Sequence, residues 1–86
     1  MPYKTHTFRV RFSKPNEALR FVDLDSHTPL GIERFARNLN PEFDSTWTAT
    51  VFWIDPRNRI AREVVDFDPS WRKTLVGERD ADQLFD

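Results

Sequence analysis

The sequence predicts an α+β fold, in which two hairpins form a four-stranded antiparallel sheet in ββα-ββα order. Three observations predict it. Segments with the two-residue alternation typical of strands come in pairs, and a proline-containing turn joins each pair. A stripe of apolar residues at helical spacing follows the first pair. A second proline-led helix start follows the other pair, which predicts one main helix on one face of the sheet and a short helix near the C-terminus.

The first predicted hairpin joins Thr5–Phe12 to Ala18–Asp25. Apolar and polar residues alternate in the first of these segments, as they do in a half-buried strand. Between them lies a Ser-Lys-Pro-Asn-Glu segment with residues that favour a turn. Because a shift of one residue moves every side chain to the other face, the hydrophobic pattern selects a register, and it favours Phe12 opposite Leu19.

The second predicted hairpin joins Thr46–Ile54 to Ile60–Phe67. The first segment is dense in β-branched and aromatic residues, which favour strands. The turn between them, Asp55–Asn58, carries proline at its second position, as type I turns prefer.

The main helix is predicted over Pro29–Leu39. Thr28 is a candidate N-cap, and a proline suits the first helical position because it has no N–H to satisfy. Asn40 precedes a proline, which ends the helix there. The apolar stripe consists of Ile32, Phe35, Ala36 and Leu39.

The C-terminal part predicts a short helix and then a tail. Asp68 and a proline start the helix, and Gly77 offers its stop. We therefore expect a single domain over residues 1–77 and a flexible acidic tail over residues 78–86. Four acids and one arginine give the tail a net charge of −3, and an apolar pair at its end could dock on a partner: Leu84 and Phe85.

The predicted core combines the inward faces of both hairpins and the helix stripe. Its members are Phe8, Val10, Phe12, Leu19, Phe21, Ile32, Phe35, Leu39, Trp47, Val51, Trp53 and Val64.

The composition argues against most kinds of catalysis. The chain has no cysteine, so it can hold neither a disulfide nor a thiolate site, and its two glycines cannot form a phosphate-binding loop. His6 and His27 are the only histidines, and neither stands at an established spacing from a serine or carboxylate. We therefore expect a protein that is not an enzyme and that needs no cofactor.

Paired carboxylates are the weaker candidates for a metal site. Asp23 and Asp25 stand two residues apart, as do Asp66 and Asp68, so each pair could present two oxygens to a hard cation. Capping and solvation explain such pairs equally well, because Asp is common at helix starts. A metal-dependent hydrolase is therefore only the third functional alternative.

An arginine cluster is the main candidate binding site. The predicted register places Arg11 opposite Arg20 and beside Arg9, on the face of the hairpin away from the core. Such a cluster needs anions, from acidic residues of the fold or from a partner. We expect a partner protein with an acidic surface, which makes the chain a regulator, adaptor or inhibitor; nucleic acid is the alternative. The nearly balanced net charge of −1 disfavours a polybasic nucleic-acid binder.

The remaining expectations concern the other sheet face and the location of the protein. Four apolar residues would lie opposite the predicted core: Phe52, Ile54, Val22 and Leu24. Either the C-terminal segment covers them or a homodimer forms through the sheet. No run of 18 apolar residues occurs, and Met1–Ser13 has no signal-peptide core, so we expect a cytoplasmic protein without a membrane partner.

Overall fold

The structure, a computed structural model, describes residues 4–81. It is a small α+β domain in which an antiparallel sheet carries one helix. Within the described residues the sheet has five strands in the order β2-β1-β3-β4-β5. The elements are β1 (His6–Ser13), β2 (Arg20–Ser26), α1 (Ile32–Leu39), β3 (Thr48–Ile54), β4 (Ile60–Glu63) and β5 (Val76–Asp80).

The antiparallel α+β class is confirmed, but the prediction of four strands and two helices is wrong. The predicted C-terminal helix is only a 3-10 turn over Trp71–Lys73, and a fifth strand follows it. The Asp68 carboxylate accepts hydrogen bonds from the backbone N–H and the hydroxyl of Ser70, so it closes a local turn and caps no α-helix. Strand β5 runs through Gly77 and covers residues 78–80, which the sequence analysis assigned to the tail.

The register of the first hairpin differs by one residue from the prediction. Phe12 pairs with Arg20, not with Leu19. The connecting turn has Asn16 in the left-handed region at φ 67°, and the chain re-enters the sheet only at Arg20. As a consequence Val22 and Leu24 lie on the core side of the sheet, so their predicted position opposite the core is wrong.

The main core lies between α1 and one face of the sheet. The predicted core residues that are buried there are Phe8, Val10, Phe12, Ile32, Val51, Trp53 and Val64. Two aromatic residues outside the prediction complete it. The Phe43 ring stacks on Phe12 at 4.1 Å between centroids, and the Trp71 ring meets the Phe8 ring edge-on at 5.3 Å.

Five predicted core residues are not fully buried. Leu19 and Trp47 are half-buried, whereas Phe21, Phe35 and Leu39 are exposed. Phe21 lies on the other sheet face because of the register. The two helix residues are exposed because α1 has only eight residues and buries only its Ile32 and Ala36 side chains.

The helix begins later than the sequence predicts. Gly31 precedes it with φ 79°, a left-handed conformation that glycine adopts without steric cost. Residues 29–32 instead form a turn, in which the Ile32 N–H donates to the Pro29 carbonyl at 3.0 Å. This turn holds the Leu30 side chain out in solvent, where 71% of it is exposed.

A smaller apolar cluster covers part of the opposite sheet face. It consists of Phe52, Ile54, Ala61 and Ala81, all buried. The last described residue, Ala81, is tied to the sheet by a hydrogen bond from its N–H to the Arg59 carbonyl at 2.9 Å. Phe52 and Ile54 therefore lie opposite the core, as predicted, but they are not an open patch.

Candidate functional site

Arg9 is bound within the fold. The corrected register places it opposite Asp23, whose carboxylate accepts from Arg9 Nε at 2.7 Å and from Nη2 at 2.8 Å. Its third nitrogen, Nη1, donates to the Ala81 carbonyl. Only 14% of the Arg9 side chain is exposed. This bidentate geometry is typical of a structural ion pair, and it leaves little of the guanidinium for a partner.

The predicted arginine cluster does not form. Arg11 pairs across the sheet with Phe21, and its guanidinium lies 5.3 Å from the centre of the Phe52 ring. Arg20 lies on the opposite face, where it approaches Glu42 at 3.6 Å and covers the Phe43 ring at 5.1 Å. The other two predicted contact residues, Leu84 and Phe85, lie outside the described residues.

Three of the four carboxylates in the predicted pairs accept hydrogen bonds from donors of this chain. Asp23 accepts from Arg9, and Asp25 accepts from the Thr7 hydroxyl at 2.9 Å. The Asp68 carboxylate accepts hydrogen bonds from Ser70 in a local turn, and these bonds lower the pKa of Asp68. Asp66 is exposed. Among residues 4–81, no three acidic or histidine side chains lie close enough together to hold a metal ion.

His6 lies beside an aromatic cluster of the core. Trp53 Nε1 donates to His6 Nδ1 at 3.3 Å, and the imidazole meets the Trp71 ring edge-on at 5.4 Å. Burial lowers the pKa of His6, and the positive charges of Arg72 and Lys4 lower it further. The ring is therefore held neutral, and one of its nitrogens is already bound to the indole.

The most perturbed carboxyl group has a structural role in a turn. Asp55 is fully buried and accepts from the Arg57 N–H at 2.9 Å and from two guanidinium nitrogens of Arg57 at 3.2 and 3.0 Å. These bonds lower its pKa to about 2, the side-chain bonds most strongly. A carboxylate that is ionised and bound by its own turn is not a general base for chemistry at neutral pH.

An open hollow of the described surface lies along α1. It has a volume of about 520 Å³, and we call it the α1 groove. Pro29, Leu30 and Phe67 form its apolar walls, while Arg34 and Asn38 line it from the helix. A volume of this size lies within the range of small-ligand and peptide-side-chain sites.

The two arginines of this helix differ sharply. Arg37 donates to Glu33 at 3.1 Å and to the carbonyls of Phe43 and Trp47 at 3.0 and 2.9 Å, so it fastens α1 to the segment that follows it. Arg34 is exposed and, among the described residues, makes no ion pair or hydrogen bond. The α1 groove therefore carries one uncompensated positive charge beside its apolar walls.

Sequence reasoning missed this groove. Helical spacing places Arg34 and Asn38 on the wet side of the helix, which is correct, but it does not show that Phe67 lies across from them. The available signal was Leu30, an apolar residue next to a proline and a glycine, outside the predicted stripe.

The chain matches no family model, and comparisons with curated proteins and with solved structures also find no match. None of the helices in residues 4–81 has the length and apolar character needed to cross a bilayer. The function therefore has to be argued from the geometry of the site.

Proposed function

We propose that the protein is a non-catalytic binding module that holds a peptide segment of a partner protein in the α1 groove. The segment would carry an apolar side chain next to a carboxylate. The single observation that carries the proposal is that the exposed Leu30 and Phe67 walls lie beside the guanidinium of Arg34, which has no ion-pair partner among residues 4–81.

Burial of Leu30 would supply part of the binding energy. A leucine side chain that passes from water to an apolar contact contributes about 1.5–3 kcal/mol when burial is complete. Leu30 is 71% exposed, so most of that contribution is still available to a partner. Large apolar side chains that border a hollow are typical of interaction sites.

Arg34 would select the charge of the segment. Its guanidinium can bind a carboxylate with two parallel hydrogen bonds, a geometry that lysine cannot reproduce. The neighbouring Glu33 is already bound by Arg37, so it does not compensate Arg34. A peptide with an acidic residue is therefore favoured over a basic one.

The same geometry favours peptide binding over the sequence-based alternatives. Nucleic-acid binding through Arg9, Arg11 and Arg20 requires these side chains on one face, but Arg20 lies on the other. Arg9 is also bound to Asp23. A metal-dependent hydrolase needs free carboxylates, whereas Asp23, Asp25 and Asp68 accept hydrogen bonds from their neighbours.

A peptide array tests the proposal. The probes are synthetic peptides in which one leucine or phenylalanine stands at varied spacing from one aspartate, one lysine or one alanine. We expect the wild-type chain to bind the aspartate series best, Leu30→Asp to bind none of them, and Arg34→Glu to prefer the lysine series. A reversed charge preference requires contact between the peptide and residue 34, so non-specific apolar binding cannot produce it.

The matched control is Val76→Asp, which changes an apolar residue of similar character that is 46% exposed on β5, away from the groove. It should bind peptides as the wild type does. The proposal is wrong if the wild type shows no preference among the three series, or if Arg34→Glu keeps the preference for aspartate. Thermal melts of all variants should agree within a few degrees, because exposed substitutions change stability by about 0.5 kcal/mol or less.

A further inference from the structure

Strand β2 has a free edge. It is the first strand in the order of the sheet, and among the described residues it pairs with β1 alone. Edge strands are usually blocked by charged side chains, above all lysine, by proline, by a bulge or by a covering segment, because their unpaired N–H and C=O groups attract other strands. Arg20–Ser26 contains no proline or lysine, and its pairing with β1 is regular from end to end. Its charged residues contact groups of their own chain: Asp23 binds Arg9, Asp25 binds Thr7, and Arg20 approaches Glu42.

The opposite edge of the described sheet, strand β5, is irregular and does not offer the same continuous pairing. Strand β5 contains Gly77 with φ 74°, and its pairing with β4 shifts register between Ala61 and Glu63. Such irregularities bend an edge and prevent continuous pairing. Self-association through the sheet is therefore expected at β2.

Apolar side chains continue from the β2 edge onto the helix. Val22 and Leu24 are half-buried on the α1 side of the sheet. Above them, 55% of Phe35 and 57% of Leu39 are exposed. Phe35 and Leu24 border the same small hollow between β2 and the helix. A strand that paired with β2 would therefore meet an apolar surface on this side.

We propose that a second copy of this chain pairs with β2 in antiparallel orientation about a two-fold axis at Asp23. The axis keeps both helices on one side of the sheet, which becomes a continuous sheet of ten strands, five from each copy. In this register Val22 lies opposite Leu24 of the second copy, and the same apolar pair occurs twice. On the α1 side of the sheet, the apolar residues of β2 therefore pair with those of a second β2.

The neighbouring registers are less favourable. An axis at Val22 places Arg20 opposite Leu24, and an axis at Leu24 places Asp23 opposite Asp25, two like charges. At the chosen axis the two Asp23 carboxylates face each other, but each already accepts two hydrogen bonds from its own Arg9. On the same face Phe21 lies opposite Asp25 of the second copy.

The dimensions suit a stable dimer. Seven strand residues span about 24 Å. A typical specific interface buries about 800 Å² of each partner. That is roughly one seventh of the 5886 Å² surface of this chain, an area that a strand and one side of a helix can supply.

Sedimentation equilibrium of the full chain tests the dimer. We expect the mass to rise from 10.3 kDa towards twice that value as the concentration approaches about 0.1 mM. Phe35→Lys changes an exposed residue and should raise the dissociation constant about tenfold or more, as should Val22→Lys. The matched control, Val76→Lys on the opposite edge, should not change it. A chain that stays monomeric, or a dimer that Val76→Lys disrupts, would overturn the proposal.

Cysteine cross-linking tests the register, and the chain has no cysteine of its own. Phe21→Cys and Asp25→Cys both change exposed residues. When the two variant chains are mixed and oxidised, a disulfide should link Phe21→Cys of one chain to Asp25→Cys of the other. Directly opposite residues have Cβ atoms about 4.5–5.5 Å apart. Phe21→Cys alone should not cross-link, since its two thiols would lie about 14 Å apart along the strands. The reverse pattern refutes the register. Arg34→Glu, which should reverse the charge preference for peptides, should leave the dimer intact, because Arg34 lines the α1 groove and not the hollow between β2 and the helix.

Discussion

Replacement of Arg9 by glutamine distinguishes a structural arginine from a partner-binding one. The side chain is 14% exposed and donates two hydrogen bonds to the Asp23 carboxylate, with a third to the Ala81 carbonyl. Hydrogen bonds to charged groups contribute about 1.5–3 kcal/mol each when they are buried. Asp23 is half exposed, so water replaces part of the loss. We therefore expect Arg9→Gln to lower the free energy of unfolding by about 1–2 kcal/mol.

Urea denaturation followed by tryptophan fluorescence measures this change. A domain of 86 residues has a total stability of about 4–13 kcal/mol, so the midpoint should move clearly. Arg20→Gln is the matched control, because Arg20 approaches Glu42 at 3.6 Å and covers the Phe43 ring while about half of its side chain stays exposed. It should lose less than about 0.5 kcal/mol. Equal effects of the two substitutions, or no effect of Arg9→Gln, would refute the reasoning.

Three further predictions follow from buried groups. Phe43→Ala should lower the free energy of unfolding by about 3–5 kcal/mol because its ring stacks in the core, whereas Phe35→Ala should cost under about 1 kcal/mol; urea midpoints compare them. Stability should fall as the pH drops from about 4 to about 2. The pKa of Asp55 is lowered to about 2 in the folded state, so in this range Asp55 takes up a proton more readily in the unfolded chain. Asp55→Asn should reduce this loss of stability at acidic pH in thermal melts. Stability should also fall below about pH 6.5, because the pKa of His6 is lowered and protonation favours the unfolded chain; His6→Gln should remove that step. A loss of stability at acidic pH that is unchanged by either substitution would contradict these assignments.

Local sequence patterns predicted β1, β2, β3, β4 and α1, because alternation and helical spacing depend on residues that are close together in the sequence. The alternation of β1 and the β-branched run of β3 placed Phe8, Val10, Phe12 and Val51 correctly in the core. The turn at Asp55 was also predicted, because proline and the aspartate side chain determine its geometry locally.

The errors concern properties that depend on distant parts of the chain. The predicted hairpin register is wrong because the second segment offers two alternating apolar sets, Leu19 with Phe21 and Val22 with Leu24. The structure places the second set on the core side, and the local pattern does not distinguish the two. Strand β5 was missed because Val76–Asp80 has a weak strand pattern and becomes a strand by pairing with β4.

The proposed site also differs from the predicted one because it depends on contacts between distant parts of the chain. Three arginines close together in a predicted hairpin look like a surface cluster, yet the register divides them between two faces. The α1 groove depends on Phe67 lying across from Leu30, two residues far apart in the sequence. No local pattern could place them together.

An NMR titration tests the central claim most directly: the α1 groove, which Arg34 lines from the helix, is the binding surface. The labelled chain is titrated with the aspartate-containing peptide that it binds best on the array. We predict chemical-shift changes confined to the amides of residues 29–38 and Phe67. Changes centred instead on the strand face of Thr7, Arg9 and Arg11 would contradict the account and return the binding site to the arginines of the first hairpin.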